Sequence, residues 1–188
     1  MSGAAAIILA AGASKRLGRP KQTLELGGKT LILRAVNVAM EAGLSPVIVV
    51  VREIESFVPE LQQRGCLIVV NDEAAEGMAS SIRRGVNAAK MLKATGVVLM
   101  TCDQVALRPE HLLALTTDVE RVTGSRYAGR VGIPAYFPAT EFAALMELKG
   151  DIGAREILRT AFAIENAELA IDIDTEDDLL TARKYLKL

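Results

Sequence analysis

Short apolar runs alternate with longer amphipathic stretches through the first half of the chain. The runs are Ala5–Ala10, Pro46–Val51, Leu67–Val70 and Gly96–Thr101. The first, second and fourth are nearly unbroken Val, Ile, Leu, Met and Ala, the pattern of strands covered on both faces. Between the runs, Thr30–Ala42, Glu53–Arg64 and Ser80–Lys93 place apolar residues at helical spacing. Gly43 and Gly65 follow two of them as stop signals. A β-α-β-α-β-α-β order predicts a parallel sheet with helices on both faces.

After Thr101 the rhythm changes. Arg108-Pro109-Glu110 opens a helix predicted to reach about Val122, with proline in the favoured first turn. Ser125–Ala128 and Ile133–Phe137 read as short strands, and Thr140–Leu148 and Ile152–Ala161 as helices. Glu168–Ile173 reads as a last strand. Thr175-Glu176-Asp177-Asp178 then caps a final helix to about Leu186. The expected fold is α/β: a three-layer αβα sandwich around a mostly parallel, Rossmann-like sheet, forming one domain over residues 1–188.

Composition narrows the chemistry. The chain has 188 residues, 51% hydrophobic and 24% charged, as a soluble globular domain has. With 22 Lys+Arg against 23 Asp+Glu the net charge is −1, which argues against an electrostatic nucleic-acid or anionic-membrane binder. One histidine, His111, and two cysteines, Cys66 and Cys102, exclude a multi-histidine metal site and a four-cysteine zinc site. His111 lies in the first turn of a predicted helix, with no nucleophile nearby in sequence, and reads as a surface or packing residue. The cysteines read as semi-buried thiols. No disulfide framework, transmembrane run or basic leader region is evident, so a cytoplasmic protein is expected. Any catalysis must use carboxylates, Lys/Arg, hydroxyls and backbone, with a hard metal ion as a candidate helper.

The first strand runs into Ala11-Gly12-Ala13-Ser14-Lys15-Arg16-Leu17-Gly18-Arg19-Pro20-Lys21. Such a loop leaves the carboxyl end of a parallel strand, where open α/β sheets bind ligands. Small residues let backbone N–H groups approach an anion, and Lys15, Arg16, Arg19 and Lys21 add charge. These four cations crowd one loop while the acids lie elsewhere in the chain. The direct reading is a phosphate-binding loop; the plain alternative is a solvated basic turn. The dinucleotide pattern Gly-x-Gly-x-x-Gly is absent. Gly28-Lys29-Thr30 fails as a P-loop, because Thr23 stands where glycine is needed and no strand precedes it.

Val97–Thr101 leads into Cys102-Asp103-Gln104, which puts Asp103 at the same sheet edge as the basic loop. A carboxylate facing phosphates calls for a cation between them, and Mg²⁺ takes few protein carboxylates beside phosphate oxygens and waters. A plain helix-capping role for Asp103 is the alternative. Ser80 and Ser81 lie at a helix start and could hold a ligand or simply cap. Asp151, at another predicted helix start, has the same two readings.

Leu9-Ala10-Ala11-Gly12-x-Ser14-x-Arg16-Leu17-Gly18-x-x-Lys21 resembles the signature of nucleotidyltransferases with a glycosyltransferase-A-like Rossmann fold. Further pieces resemble the molybdenum cofactor cytidylyltransferase branch. They are Gly77–Gly85, Cys102-Asp103-Gln104, Gly132–Phe137, Gly150–Arg155 and Asp172–Leu179. Val105 departs from that pattern, where proline is frequent, and Thr116–Gly132 leaves little room for an acceptor-binding insertion.

The resemblance implies transfer of a nucleoside monophosphate from a triphosphate to a phosphate acceptor, releasing pyrophosphate. It assigns catalysis to Arg16, Lys21 and Asp103, with Asp103 holding Mg²⁺. It assigns nucleotide binding to Leu9, Ala10, Ala11, Gly12, Ser14, Arg16 and Lys21, together with Gly77, Met78, Ser80 and Ser81. Acceptor binding falls to Gly132, Pro134, Asp151, Gly153 and Arg155. Guanylyl-transferring relatives read Leu-Ala-Gly-Gly, whereas Ala11 narrows the space beside the base, so CTP is expected. The acceptor implied is the phosphate of molybdenum-pterin, with a molybdoenzyme or its maturation chaperone as protein partner, and neither nucleic acid nor membrane. The alternatives are guanylyl or other nucleotidyl transfer to a different phosphate acceptor, a related pigment-reducing NAD(P)H oxidoreductase, and a non-enzymatic pterin or nucleotide carrier.

Overall fold

The computed structural model describes residues 3–14 and 16–188; Lys15, one of the four loop cations, lies outside the described residues. The strands are β1 (Ala5–Ala10), β2 (Glu25–Leu26), β3 (Lys29–Thr30), β4 (Val47–Val51), β5 (Leu67–Val70), β6 (Gly96–Thr101), β7 (Thr123–Tyr127), β8 (Arg130–Pro138) and β9 (Phe162–Glu165). The α-helices are α1 (Leu31–Glu41), α2 (Val58–Gln63), α3 (Met78–Met91), α4 (Pro109–Leu115), α5 (Phe142–Met146), α6 (Arg155–Leu158) and α7 (Glu176–Tyr185).

Seven strands form one sheet in the order β5-β4-β1-β6-β8-β7-β9, and β2 and β3 form a separate small hairpin. Only β8 opposes its neighbours; β5, β4, β1 and β6 are mutually parallel, and β9 is parallel to β7. The chain moves outward from β1 to β4 and β5, then crosses back through α3 to β6 on the other side of β1. That reversal opens a crevice between the carboxyl ends of β1 and β6.

Alternation along each strand sorts the core into two layers. Ile8, Val49 and Met100 point with α1, α2, α4 and α7 into one, while Ile7, Val50 and Leu99 point with α3, α5 and α6 into the other. Helix α3 lies close on the sheet because Gly85 faces it: a Cβ there would stand 2.5 Å from Ile7 Cγ2. Thr30 caps α1 by accepting from Leu33 N–H, and Thr175 forms a capping box with Asp178 at the start of α7.

The first half matches the periodicity closely except at one helix, and the second half departs from it more widely. The helix expected over 53–64 starts only at Val58, after a run of bends. The one expected to reach Val122 ends at Leu115. There the Thr116 and Thr117 hydroxyls donate back to the Leu112 and Leu113 carbonyls and divert the backbone. The helix expected over 152–161 is a single turn, α6. The last strand is β9, paired with β7 through Gly124↔Ala163, and not Glu168–Ile173. Residues Ala167–Ala170 instead form a 3-10 turn, and Asp172 makes one antiparallel bridge to Gln104. Both segments are short and apolar, and only the free edge of β7 decides which one pairs.

Candidate active site

The β1 loop folds back on itself. Ser14, at φ 45°, accepts N–H bonds from Leu17 and Gly18 on its carbonyl and from Lys21 N–H on its hydroxyl. The turn carries Lys21 back under the strand ends, into contact with two carboxylates. Its ammonium lies 2.9 Å from Asp103 Oδ2 and 2.7 Å from Asp174 Oδ1. Burial opposes the Lys21 charge, but Asp103 and Asp174 outweigh it and raise its affinity for the proton well above the ordinary lysine range. Asp103 Oδ1 also accepts from the Thr101 hydroxyl at 2.5 Å. Arg16 is 71% exposed and pairs with Asp174 Oδ2. Arg19 pairs with Glu176 on the surface.

The charge segregation along the chain is thus not kept in space. Acids from β6 and from the start of α7 fold onto the basic loop and neutralise much of it. Asp174 is the neighbour of Lys21 that local sequence reading missed. Its motif stood out, but nothing near it in the chain shows that it meets Lys21, 153 residues away.

Two clefts open here. The first, of about 680 Å³, is lined by the Leu9–Ser14 backbone with Lys21, Gly77, Met78, Ser81 and Asp103. The second, of about 550 Å³, is lined by Gln104, Tyr127, Arg130, Gly132, Gly153 and Arg155 among others. Met78, Thr101, Asp103 and Asp151 belong to the walls of both. Residues from the two expected binding sets therefore line separate clefts that join at Asp103. Arg16 lines neither cleft and reaches the site through Asp174.

Ser80 and Pro134 have other surroundings, and Asp151 has a second contact besides its place in both clefts. Ser80 is fully buried and lines neither cleft; it donates to the Gly77 carbonyl and accepts from Asn71. Pro134 is buried behind the second cleft, and its carbonyl accepts from Ser125 Oγ. Asp151 accepts from Met78 N–H, so it caps α3 and not its own helix. Ser81 keeps its place in the first cleft and also accepts from Asn71.

The scarce residues are sealed in. His111 is buried with Nε2 2.7 Å from Ser125 Oγ, and burial lowers its pKa. Ser125 has no exposed surface and commits its hydroxyl proton to Pro134, so this pair is packing. Burial, with the Asp103 charge beside it, pushes the Cys102 thiol up to about 12, which makes it neutral and inert.

The donor set suits a hard divalent cation. Asp103 and Asp174 already converge on one point charge, the Lys21 ammonium. No cluster of three or more His, Cys, Asp or Glu side chains poised for a metal occurs among the described residues. Two carboxylates, with phosphate oxygens and water completing the shell, are how Mg²⁺ is commonly held, whereas an all-protein cage is not.

A basic loop at the switch point thus faces a carboxylate pair where two clefts adjoin. The chain belongs to the MobA-like NTP transferase domain family, whose model matches residues 6–168. It is 33% identical over 190 residues to the purine catabolism protein PucB of Bacillus subtilis, covering 95% of this chain and 92% of that protein. It is 28% identical to nicotine blue oxidoreductase of Paenarthrobacter nicotinovorans, covering 97% and 94%. The solved structure of a nucleotidyl transferase from Methanothermobacter thermautotroptrophicus superposes with a TM-score of 0.80 at 25% identity, covering 98% and 97%. Among the described residues no helix is long and apolar enough to cross a membrane.

Proposed function

We propose that this nucleotidyltransferase moves CMP from CTP to the phosphate of molybdenum-pterin, forming the cytosine dinucleotide cofactor and releasing pyrophosphate. The observation that carries the reading is the junction of the two clefts at Asp103 beside Lys21. A triphosphate in the first cleft brings its α-phosphate there, facing an acceptor phosphate in the second. An acceptor oxygen then bonds to the α-phosphorus as its bond to the bridging oxygen breaks, and pyrophosphate carries away the electron pair. No protein nucleophile is needed, in keeping with the sealed histidine and cysteines.

The protein's part is positioning and charge. Lys21, freed from its carboxylates as phosphates enter, would neutralise charge developing on them. Arg16, paired with Asp174 at the surface, would serve the same purpose. Asp103, with Asp174 beside it, would hold Mg²⁺, which when bound supplies Lewis-acid neutralisation of phosphate oxygens. Ala11, in the wall of the first cleft, supports the choice of cytosine because its methyl takes space a purine would need. Arg130 and Arg155 in the second cleft suit an anionic acceptor.

The test is to incubate the protein with Mg²⁺, each nucleoside triphosphate in turn and molybdenum-pterin, measuring pyrophosphate. Release with CTP supports the reading. Release with GTP alone overturns the base assignment. Tight pterin binding without release from any triphosphate favours a carrier. Dye reduction by NADPH favours an oxidoreductase.

A further inference from the structure

The wall between the two clefts is held by an ion pair of Glu76, which lines the first cleft, and Arg83, which lines neither. At the start of α3, Gly77 takes φ 122°, and a Cβ there would come within 2.6 Å of the Gly150 carbonyl. The 148–151 loop thus lies directly against the helix start. Its Gly150 carbonyl accepts from Ala79 N–H at 3.0 Å, and Asp151 Oδ1 accepts from Met78 N–H at 3.2 Å. Behind this contact, Arg83 Nη1 and Nη2 donate to the two oxygens of Glu76 at 2.8 and 2.6 Å. Arg83 Nη1 also donates to the Leu148 carbonyl at 2.7 Å, and Gly150 N–H donates to Glu76 Oε1 at 3.3 Å. The Arg83 side chain is 23% exposed. The pair is solvent-exposed on its Glu76 side, and its bidentate geometry is what makes it specific.

We infer that Arg83, through Glu76, is a positioning residue that clamps the 148–151 loop to α3 and so fixes the wall shared by the nucleotide and acceptor clefts. The inference rests on reading the two clefts as the substrate sites. Arg83 lines neither cleft; it acts through Met78 and Asp151, which line both. Each of these is placed by a bond within the clamped contact. A tight guanidinium–carboxylate pair is therefore the device by which occupation of one cleft is felt in the other. Lysine can supply charge at this place but not the two parallel bonds to Glu76 plus the bond to Leu148.

The experiment compares wild type, Arg83→Met, Arg83→Lys, Glu76→Gln and the Glu76→Gln/Arg83→Met double variant. Two quantities are read: affinity for Mg²⁺·CTP by calorimetry, and amide exchange of residues 148–153 with and without that nucleotide. In the wild type, Mg²⁺·CTP is expected to slow exchange across the wall. Arg83→Met is expected to bind it about tenfold more weakly and to lose that transmitted protection, with global melting little changed. Arg83→Lys should lie between, and the double variant should be no worse than Arg83→Met alone, as for one shared interaction. Wild-type affinity and full protection in Arg83→Met, or additive losses in the double variant, overturn the proposal. Failure of the wild type to bind any nucleoside triphosphate is a different result: it removes the nucleotidyl-transfer reading, and the clamp's role falls with the site it serves.

Discussion

Lys21 and Asp103 stand 82 positions apart in the chain, yet the lysine ammonium lies 2.9 Å from the aspartate in a partly buried contact. The β1 loop and the end of β6 are brought together by the switch point, and the ion pair marks where they meet. Asp174 takes another bond from the same ammonium, so Lys21 stands between the two carboxylates proposed to hold the cation.

Asp103→Ala is expected to abolish pyrophosphate release while leaving a folded protein, because Asp103 pairs with Lys21 and is the proposed ligand of the cation. Lys21→Met should lower kcat by on the order of 100-fold or more, the scale of losing one preorganised charge at a reacting group. Circular dichroism checks the fold and a pyrophosphate assay checks turnover. Near-normal turnover by the Asp103 variant would show the metal assignment to be wrong.

Ala11→Gly should relax base choice. Removing one methyl from a base pocket is worth roughly tenfold or more in discrimination. The ratio of CTP to GTP turnover should therefore fall by that order, with GTP gaining. An unchanged ratio would place base selection elsewhere in the cleft.

Acid stability should report on the Glu76 clamp. Hydrogen bonds from Arg83 hold the Glu76 carboxyl down at about 2, with Gly150 N–H and the nearby Lys149 charge helping against partial desolvation. A depressed carboxylate stabilises the fold above its ordinary pKa, and that contribution fades as pH falls from about 5 towards 2. Urea unfolding at a series of pH values should show a shallower decline over that window for Glu76→Gln than for wild type. Equal slopes would mean the pair is not formed in solution.

Gly85→Val should destabilise the fold without touching either cleft. Its Cβ would stand 2.5 Å from Ile7 Cγ2 and 3.2 Å from Val50 Cγ2, both on strands that cannot yield. Overpacking of this kind costs about 2 kcal/mol. A lowered urea midpoint with an unchanged m-value is the expected result; a wild-type midpoint would contradict the close packing of α3 on the sheet.

Much of the scaffold was legible in the chain. The Ala5–Ala10 and Gly96–Thr101 strands are as expected, because runs buried on both faces carry an unambiguous apolar signal. The second half was harder. Phe162–Glu165 and Glu168–Ile173 are both short and apolar, and neither alternates strongly enough to distinguish an edge strand from a turn.

The site divides the same way. Gly12, Ser14, Lys21 and Asp103 could be singled out because each follows a strand end, where backbone direction alone aims the chain at the ligand side of the sheet. What the sequence determined by itself was local: which segments bury both faces, where α1 and α7 are capped, and which loop carries small and basic residues. The meeting of Asp174 with Lys21 and the clamping of the 148–151 loop onto α3 were decided only by the tertiary structure. Periodicity reports an element's own burial, whereas ion pairs between elements depend on sheet order and on which strand occupies each edge, and those are set by packing across the whole fold.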